Sequence, residues 1–231
     1  MYVLCLLFVS ALTAFAADKT DKHLNEVAER LDDSAAVLRE IMSTPDKGIP
    51  QDLLNKANCI VIIPGMKKGA FIVGAKYGKG FVNCRKDARA GWSAPAAVRI
   101  EGGSVGFQIG GQETDVVLLV MNEKGGDRLL STKFTLGGEG SVAAGPVGRD
   151  TSAQTDAGMR AEILSYSRSR GVFAGISLTG ATLRPDLDDN MTMYGKRLTS
   201  KEIVDTQIKA TPAAGKLMSE LNRYSPVEKK N

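Results

Sequence analysis

Trp92–Met121, WSAPAAVRIEGGSVGFQIGGQETDVVLLVM, is a run of glycine and β-branched residues with almost no side chain suited to chemistry. Within it Val105, Phe107 and Ile109 alternate with Ser104, Gly106 and Gln108, the period of two expected of a half-buried strand. Val116–Met121 is apolar at every position and predicts a central strand covered on both faces. Further out, 22 of the 25 glycines lie between Gly65 and Gly180. Glycine alone reaches positive φ cheaply, so this block predicts many short strands joined by sharp turns.

The strand block opens at Cys59–Ile63, with a turn expected at Pro64-Gly65. Further strands are predicted over Ala70–Lys76, Phe81–Cys84, Ala97–Ile100, Ser104–Ile109, Val116–Met121, Ser141–Ala144, Ile163–Arg168, Val172–Leu178 and Ala181–Arg184. Before them, Leu24, Val27, Ala28, Leu31, Ala35, Leu38 and Ile41 repeat at helical spacing, predicting an amphipathic helix over Asp21–Met42, and Pro50–Ala57 reads as a short second helix. After them, Asp186–Tyr194, Ser200–Ile208 and Ala213–Tyr224 read as helices. Helices, then consecutive strands, then helices, without βα alternation, predict an α+β fold: a mainly antiparallel, curved or barrel-like β-sheet with flanking N- and C-terminal helices.

Residues 1–17, MYVLCLLFVSALTAFAA, carry no charge and end in Ala14-Phe15-Ala16, a small-x-small pattern, so they read as a signal peptide, although one without a basic n-region. Residues 18–224 are expected to form one domain and 225–231 a flexible tail. The implied location is exported, periplasmic or secreted, and peripheral to a membrane. Beyond the leader the chain holds only Cys59 and Cys84. In an oxidising compartment these two are a candidate disulfide worth ~3 kcal/mol, and the sequence leaves both the bonded and the free states open.

The formal net charge of +4 conceals an uneven distribution. From Cys59 to Ile100 eight bases (Lys67, Lys68, Lys76, Lys79, Arg85, Lys86, Arg89 and Arg99) face the single acid Asp87, whereas Asp18–Asn58 has nine acids and six bases. Such a dipolar chain suits an anionic partner, lipid headgroups or nucleic acid among them.

Catalytic readings fail on context. Gly102-Gly103-Ser104-Val105-Gly106 fits G-x-S-x-G, but the sole histidine, His23, lies upstream and no helix pattern follows Ser104. The glycines from Gly102 to Gly111 open no helix, and Gly78-Lys79-Gly80 lacks the hydroxyl residue and spacing of a phosphate loop. Asp186-Leu187-Asp188-Asp189-Asn190 lacks the glycine and closing glutamate of a calcium loop and reads better as a capped, acidic helix start. Two cysteines and one histidine do not make a zinc site. No enzyme activity, cofactor or metal is expected.

Four motifs in order, Trp92-Ser93-Ala94-Pro95, the glycine run Gly102–Gly111 leading to Thr114-Asp115, Ser141–Arg149 (SVAAGPVGR) and Tyr166–Gly175 (YSRSRGVFAG), resemble the SYLF domain family over roughly Leu24–Tyr194. The resemblance implies a non-enzymatic module binding phospholipid or phosphoinositide, with actin-binding members among eukaryotic relatives. The expected partner is an anionic phospholipid or membrane surface, in combination with the leader a bacterial envelope lipid. A protein-interaction scaffold is the alternative, and no nucleic acid is expected. The headgroup contacts expected are Lys67, Lys68, Lys76, Lys79, Arg85 and Lys86, with Trp92 beside them and Arg168 and Arg170 as a second set. About 1 kcal/mol from each of four such bases gives roughly millimolar affinity, so tight binding would need an apolar insertion or a headgroup pocket as well, with Tyr77, Phe81 and Trp92 the aromatics placed to help. The first amphipathic helix has six acids and three bases and no aromatic residue, so Leu24, Leu31 and Leu38 are expected to pack on the core rather than enter a bilayer.

Overall fold

The structure, a computed structural model, describes residues 3–44, 48–70, 73–85, 91–105, 110–147, 161–169, 172–175, 178–206 and 208–226. Its strands are β1 Cys59–Ala70, β2 Val73–Cys84, β3 Ala96–Val105, β4 Gly110–Val120, β5 Phe134–Thr135, β6 Val142–Ala144, β7 Ile163–Ser169, β8 Val172–Gly175 and β9 Thr182–Pro185. They form one sheet of order β5-β9-β3-β2-β1-β4-β7-β6, with β8 on β7. The helices are α1 Val3–Met42, α2 Gln51–Lys56, α3 Glu123–Leu129, α4 Leu187–Tyr194, α5 Ser200–Asp205 and α6 Gly215–Tyr224. Among the described strands every pairing is antiparallel except β6 with β7, and the sheet curls into a half-barrel. The α+β class with a curved, mainly antiparallel sheet is therefore what the chain adopts.

The first four strands are each longer than the sequence suggests. Pro64-Gly65 does not turn the chain; β1 continues through it, and the pairing with β4 jumps from Ile63–Val116 to Met66–Thr114. The extra residues form a bulge, which Gly65 permits with φ 57° and secures by donating its N–H to Asp115 Oδ1 at 2.9 Å. Across from it on β2, a Cβ at Gly80 would collide with the Ile62 carbonyl, so only glycine lets β2 run past the bulge unbroken. The alternation expected through Phe107 and Ile109 lies outside the described residues.

Both faces of the central strands are covered. Ile60, Ile62, Phe81, Val117, Leu119 and Tyr166 point to one side, where Val27, Leu31, Leu38 and Ile41 of α1 and Leu217 and Leu221 of α6 pack on them. Val61, Ile63, Val82, Val98, Val116, Leu118 and Ile163 point to the other, closed by Phe134, Leu136, Leu178 and Ile203. This explains why Val116–Val120 has no polar position. Leu31 and Leu38 pack as expected, but Leu24 is 50% exposed, because the covered stripe of α1 starts one turn later at Val27. α1 itself is continuous from Val3 to Met42.

Cys59 and Cys84 face one another across β1 and β2 and are bonded, with S–S 2.05 Å. A second tie joins two of the sequence motifs. Gly145 sits where the ring of Tyr166 leaves no room for a Cβ, its N–H donates to the Ser165 carbonyl at 2.9 Å, and Ser165 Oγ donates to the Ala143 carbonyl at 3.0 Å. Gly145→Ala is expected to cost about 2 kcal/mol through overpacking, read as a lower midpoint in urea unfolding with unchanged slope.

Candidate functional site

The cations expected to meet a partner fall into two groups once the strands are paired. Lys67, Lys68 and Lys76 stand together on the β1–β2 hairpin with Tyr77, in the register Lys67 opposite Tyr77 and Lys68 opposite Lys76. Tyr77 is 46% exposed, and the Lys67 side chain is 77% exposed with only Glu113, at 3.8 Å, near its ammonium among the described residues. Partial burial and then the neighbouring Lys76 hold the Lys68 ammonium below the ordinary lysine range. Like charges opposed in a sheet repel, which makes this end of the hairpin a place where an anionic partner is favoured.

Arg85 and Trp92 belong to the interior. Arg85 is 5% exposed; its Nε donates to the Ala57 carbonyl at 3.1 Å and its Nη2 to the Leu54 carbonyl at 2.9 Å and Ser225 Oγ at 2.8 Å. Those carbonyls end α2, where a cation is favoured by the helix dipole. Trp92, 7% exposed, lies under the guanidinium at 3.9 Å from ring centroid to Cζ. Ser93 of the same motif carries the chain from β2 to β3: Cys84 N–H donates to its Oγ at 3.1 Å, and its N–H donates to the Cys84 carbonyl at 2.7 Å. Lys86 and Arg170 lie outside the described residues.

Lys79 enters a buried ionic cluster. Its Nζ is 2.8 Å from Asp186 Oδ2 and 3.0 Å from Asp189 Oδ1. Asp189, 1% exposed, also takes Arg30 Nη1 of α1 at 2.6 Å and has His23 Nε2 at 3.1 Å. Burial alone would lower Lys79 and raise Asp186; their mutual hydrogen bonds outweigh it, so Lys79 lies above and Asp186 below its ordinary range. Asp186 is at the same time the N-cap of α4, accepting from Asp189 N–H at 3.2 Å. The acidic helix start is thus capped as expected and also locks α1 to β2. Arg168 does a similar job farther along, binding Asp115 of β4 at 2.6 Å and Glu40 of α1.

Between α1 and the β1 bulge runs an open groove of about 540 Å³, where Glu26, Glu29, Asp33, Glu40 and Asp115 outnumber Arg30 and Arg168. The dipolar charge of the sequence therefore becomes an acidic groove beside α1 and a basic hairpin end. Ser104 lies within β3 opposite Gly74, on a strand rather than at a strand-to-helix turn. Among the described residues no three His, Cys, Asp or Glu side chains are grouped to hold a metal.

A core covered on both faces, ion pairs that fix helices to the sheet, and an acidic groove and basic hairpin end at the surface describe an α+β domain whose charges divide between internal ties and outer faces. Residues 101–224 match the family described as Ysc84, Las17-binding protein actin regulator, and the chain belongs to this family. It is similar to protein YSC84 of Saccharomyces cerevisiae, 36% identical over 178 residues, which are 75% of this chain and 37% of that protein. It is also similar to LAS seventeen-binding protein 3 of the same yeast, 36% identical over 177 residues, 74% of this chain and 38% of that protein. SH3 domain-containing YSC84-like protein 1 of Rattus norvegicus is 32% identical over 199 residues, 83% of this chain and 58% of its own length. The chain thus spans between about a third and three fifths of these relatives.

These findings correct the expected location. An exported, periplasmic or secreted protein at a bacterial envelope does not fit a family described by actin regulation, in which the relatives named above are eukaryotic proteins of yeast and rat. The envelope lipid inferred from the leader is withdrawn with it.

Proposed function

We propose that this domain is a protein-interaction module of actin regulation, docking an anionic protein surface, that of the actin filament first, through the basic end of the β1–β2 hairpin. Membership of a family described as actin regulators carries the reading. The hairpin is favoured as the contact because Lys68 and Lys76 face and repel one another across it and because Tyr77, next to Lys76 in the chain, is exposed. Lys79, Arg85, Trp92 and Arg168 are left out of the contact surface, since their partners are internal. An anionic phospholipid surface is a second reading, supported by the same lysines with Tyr77 as an interfacial aromatic.

Co-sedimentation with actin filaments tests this. The double variant Lys68→Glu/Lys76→Glu is expected to weaken binding by about tenfold or more at low salt, with the unfolding midpoint held, because surface changes of this kind rarely move stability beyond ~0.5 kcal/mol. Vesicles containing phosphatidylserine form the parallel arm. Loss of vesicle binding with intact filament binding would favour the lipid reading of the hairpin, and binding to filaments that ignores the double variant would defeat the proposed contact.

A further inference from the structure

We propose that the concavity between the β9 edge and the loop following α4 binds a phosphate group. Lys79, Arg99 and Arg184 stand in one cross-strand row over β2, β3 and β9. Three neighbouring cations on one face of a sheet repel unless each meets an anion. Lys79 meets two, Asp186 and Asp189. Arg99 Nε donates to Glu101 Oε1 at 2.7 Å. Among the described residues Arg184 has the other oxygen of that carboxylate at 3.9 Å, and its buried Nε makes no hydrogen bond.

A third guanidinium, Arg197, reaches the same place from the loop after α4, held by the exposed Asp188 at 3.2 Å. Arg99, Arg184 and Arg197, with Thr132 and Thr199, line an open space of about 370 Å³. Three guanidiniums against the carboxylates of Glu101 and Asp188 leave a positive site. Converging planar forks suit a tetrahedral dianion, which accepts from several directions at once, better than a single planar carboxylate. The volume admits a phosphate with a small substituent, either a soluble ester or the headgroup of a lipid. Because side chains alternate along a strand, Lys68 and Lys76 lie on the opposite face from this row, so charge reversal at those two lysines does not remove the site's own cations.

Titration calorimetry with inorganic phosphate and glycerol 3-phosphate, and flotation with phosphatidylcholine vesicles carrying phosphatidic acid, test the site at constant ionic strength. Saturable binding is expected, weakened by about tenfold in Arg184→Gln and in Arg197→Gln and unchanged in Arg223→Gln, whose side chain lies over Tyr224 at the end of α6 and does not line this space. Arg197 is 65% exposed, so its variant keeps the test valid if Arg184→Gln disturbs the sheet edge. Binding of the soluble ester identifies a soluble source, and variant-sensitive binding of vesicles alone identifies a lipid source; either supports the site. No binding of any probe, or binding equal in wild type and both variants, would overturn it.

Discussion

Replacing Arg85 with alanine is expected to destabilise the fold by about 3 kcal/mol, lowering the melting temperature by roughly 6–12 °C. The side chain is 5% exposed, and its loss strips donors from the Leu54 and Ala57 carbonyls and from Ser225 Oγ, and the cation from the face of Trp92. Three segments, the end of α2, the start of the Trp92 motif and the residue following α6, lose their common partner together. Lysine should recover little, since an ammonium cannot replace a fork spanning several acceptors. Calorimetry on wild type, Arg85→Ala and Arg85→Lys checks this. A loss below about 1 kcal/mol, the size of an ordinary surface substitution, would mean that Arg85 is not the interior cap described.

Asp189→Ala carries a comparable penalty, about 3 kcal/mol, because removing one partner of a buried cluster leaves the others uncompensated. The figure sits at the low end of that range because Arg30 and Lys79 retain 19% and 25% side-chain exposure and regain some hydration. The pH dependence follows from the two shifted groups. Lys79 is raised, so its contribution is complete below the ordinary value of 10.5 and is lost as pH rises through its folded-state value. Asp186 is lowered, so its contribution is complete above the ordinary value of 3.8 and is lost as pH falls through its folded-state value. The contributions of these two groups are thus level between these limits and decline on both sides, and Asp186→Asn should flatten the acid decline. Unfolding midpoints across pH for the three proteins measure it; an acid limb unchanged in Asp186→Asn would exclude the cluster as its source.

Much of this architecture was legible along the chain because burial writes itself into periodicity. Val116–Val120, covered on both faces, could afford no polar residue, and the stripe from Val27 to Ile41 shows which side of α1 packs. α3 escaped notice because Gly125 and Gly126 argue against a helix; they are required there by crowding from Val120 and Asn58, and Asn122 pins the first turn by accepting from Gly125 N–H at 2.7 Å. The site was harder to read. Charge counts find eight bases in one segment but cannot tell which ones strand pairing turns toward buried acids more than 100 residues away, as it does Lys79 toward Asp186 and Asp189. Arg85 carried one faint sign, its place right after the disulfide cysteine and shortly before a lone tryptophan. Arg99 and Arg184 carried none, since their juxtaposition exists only in the register of β3 with β9. The motifs that mark the family proved largely architectural: Trp92 under Arg85, Gly145 against Tyr166 and Arg168 on Asp115 hold elements together.

Hydrogen–deuterium exchange of the domain with and without saturating actin filaments tests the proposed interaction most directly. The account predicts protection concentrated on the hairpin from Lys67 to Tyr77, with α1 and the interior around Arg85 unchanged. Filament binding that protects the acidic groove beside α1 and leaves the hairpin unaltered would contradict it.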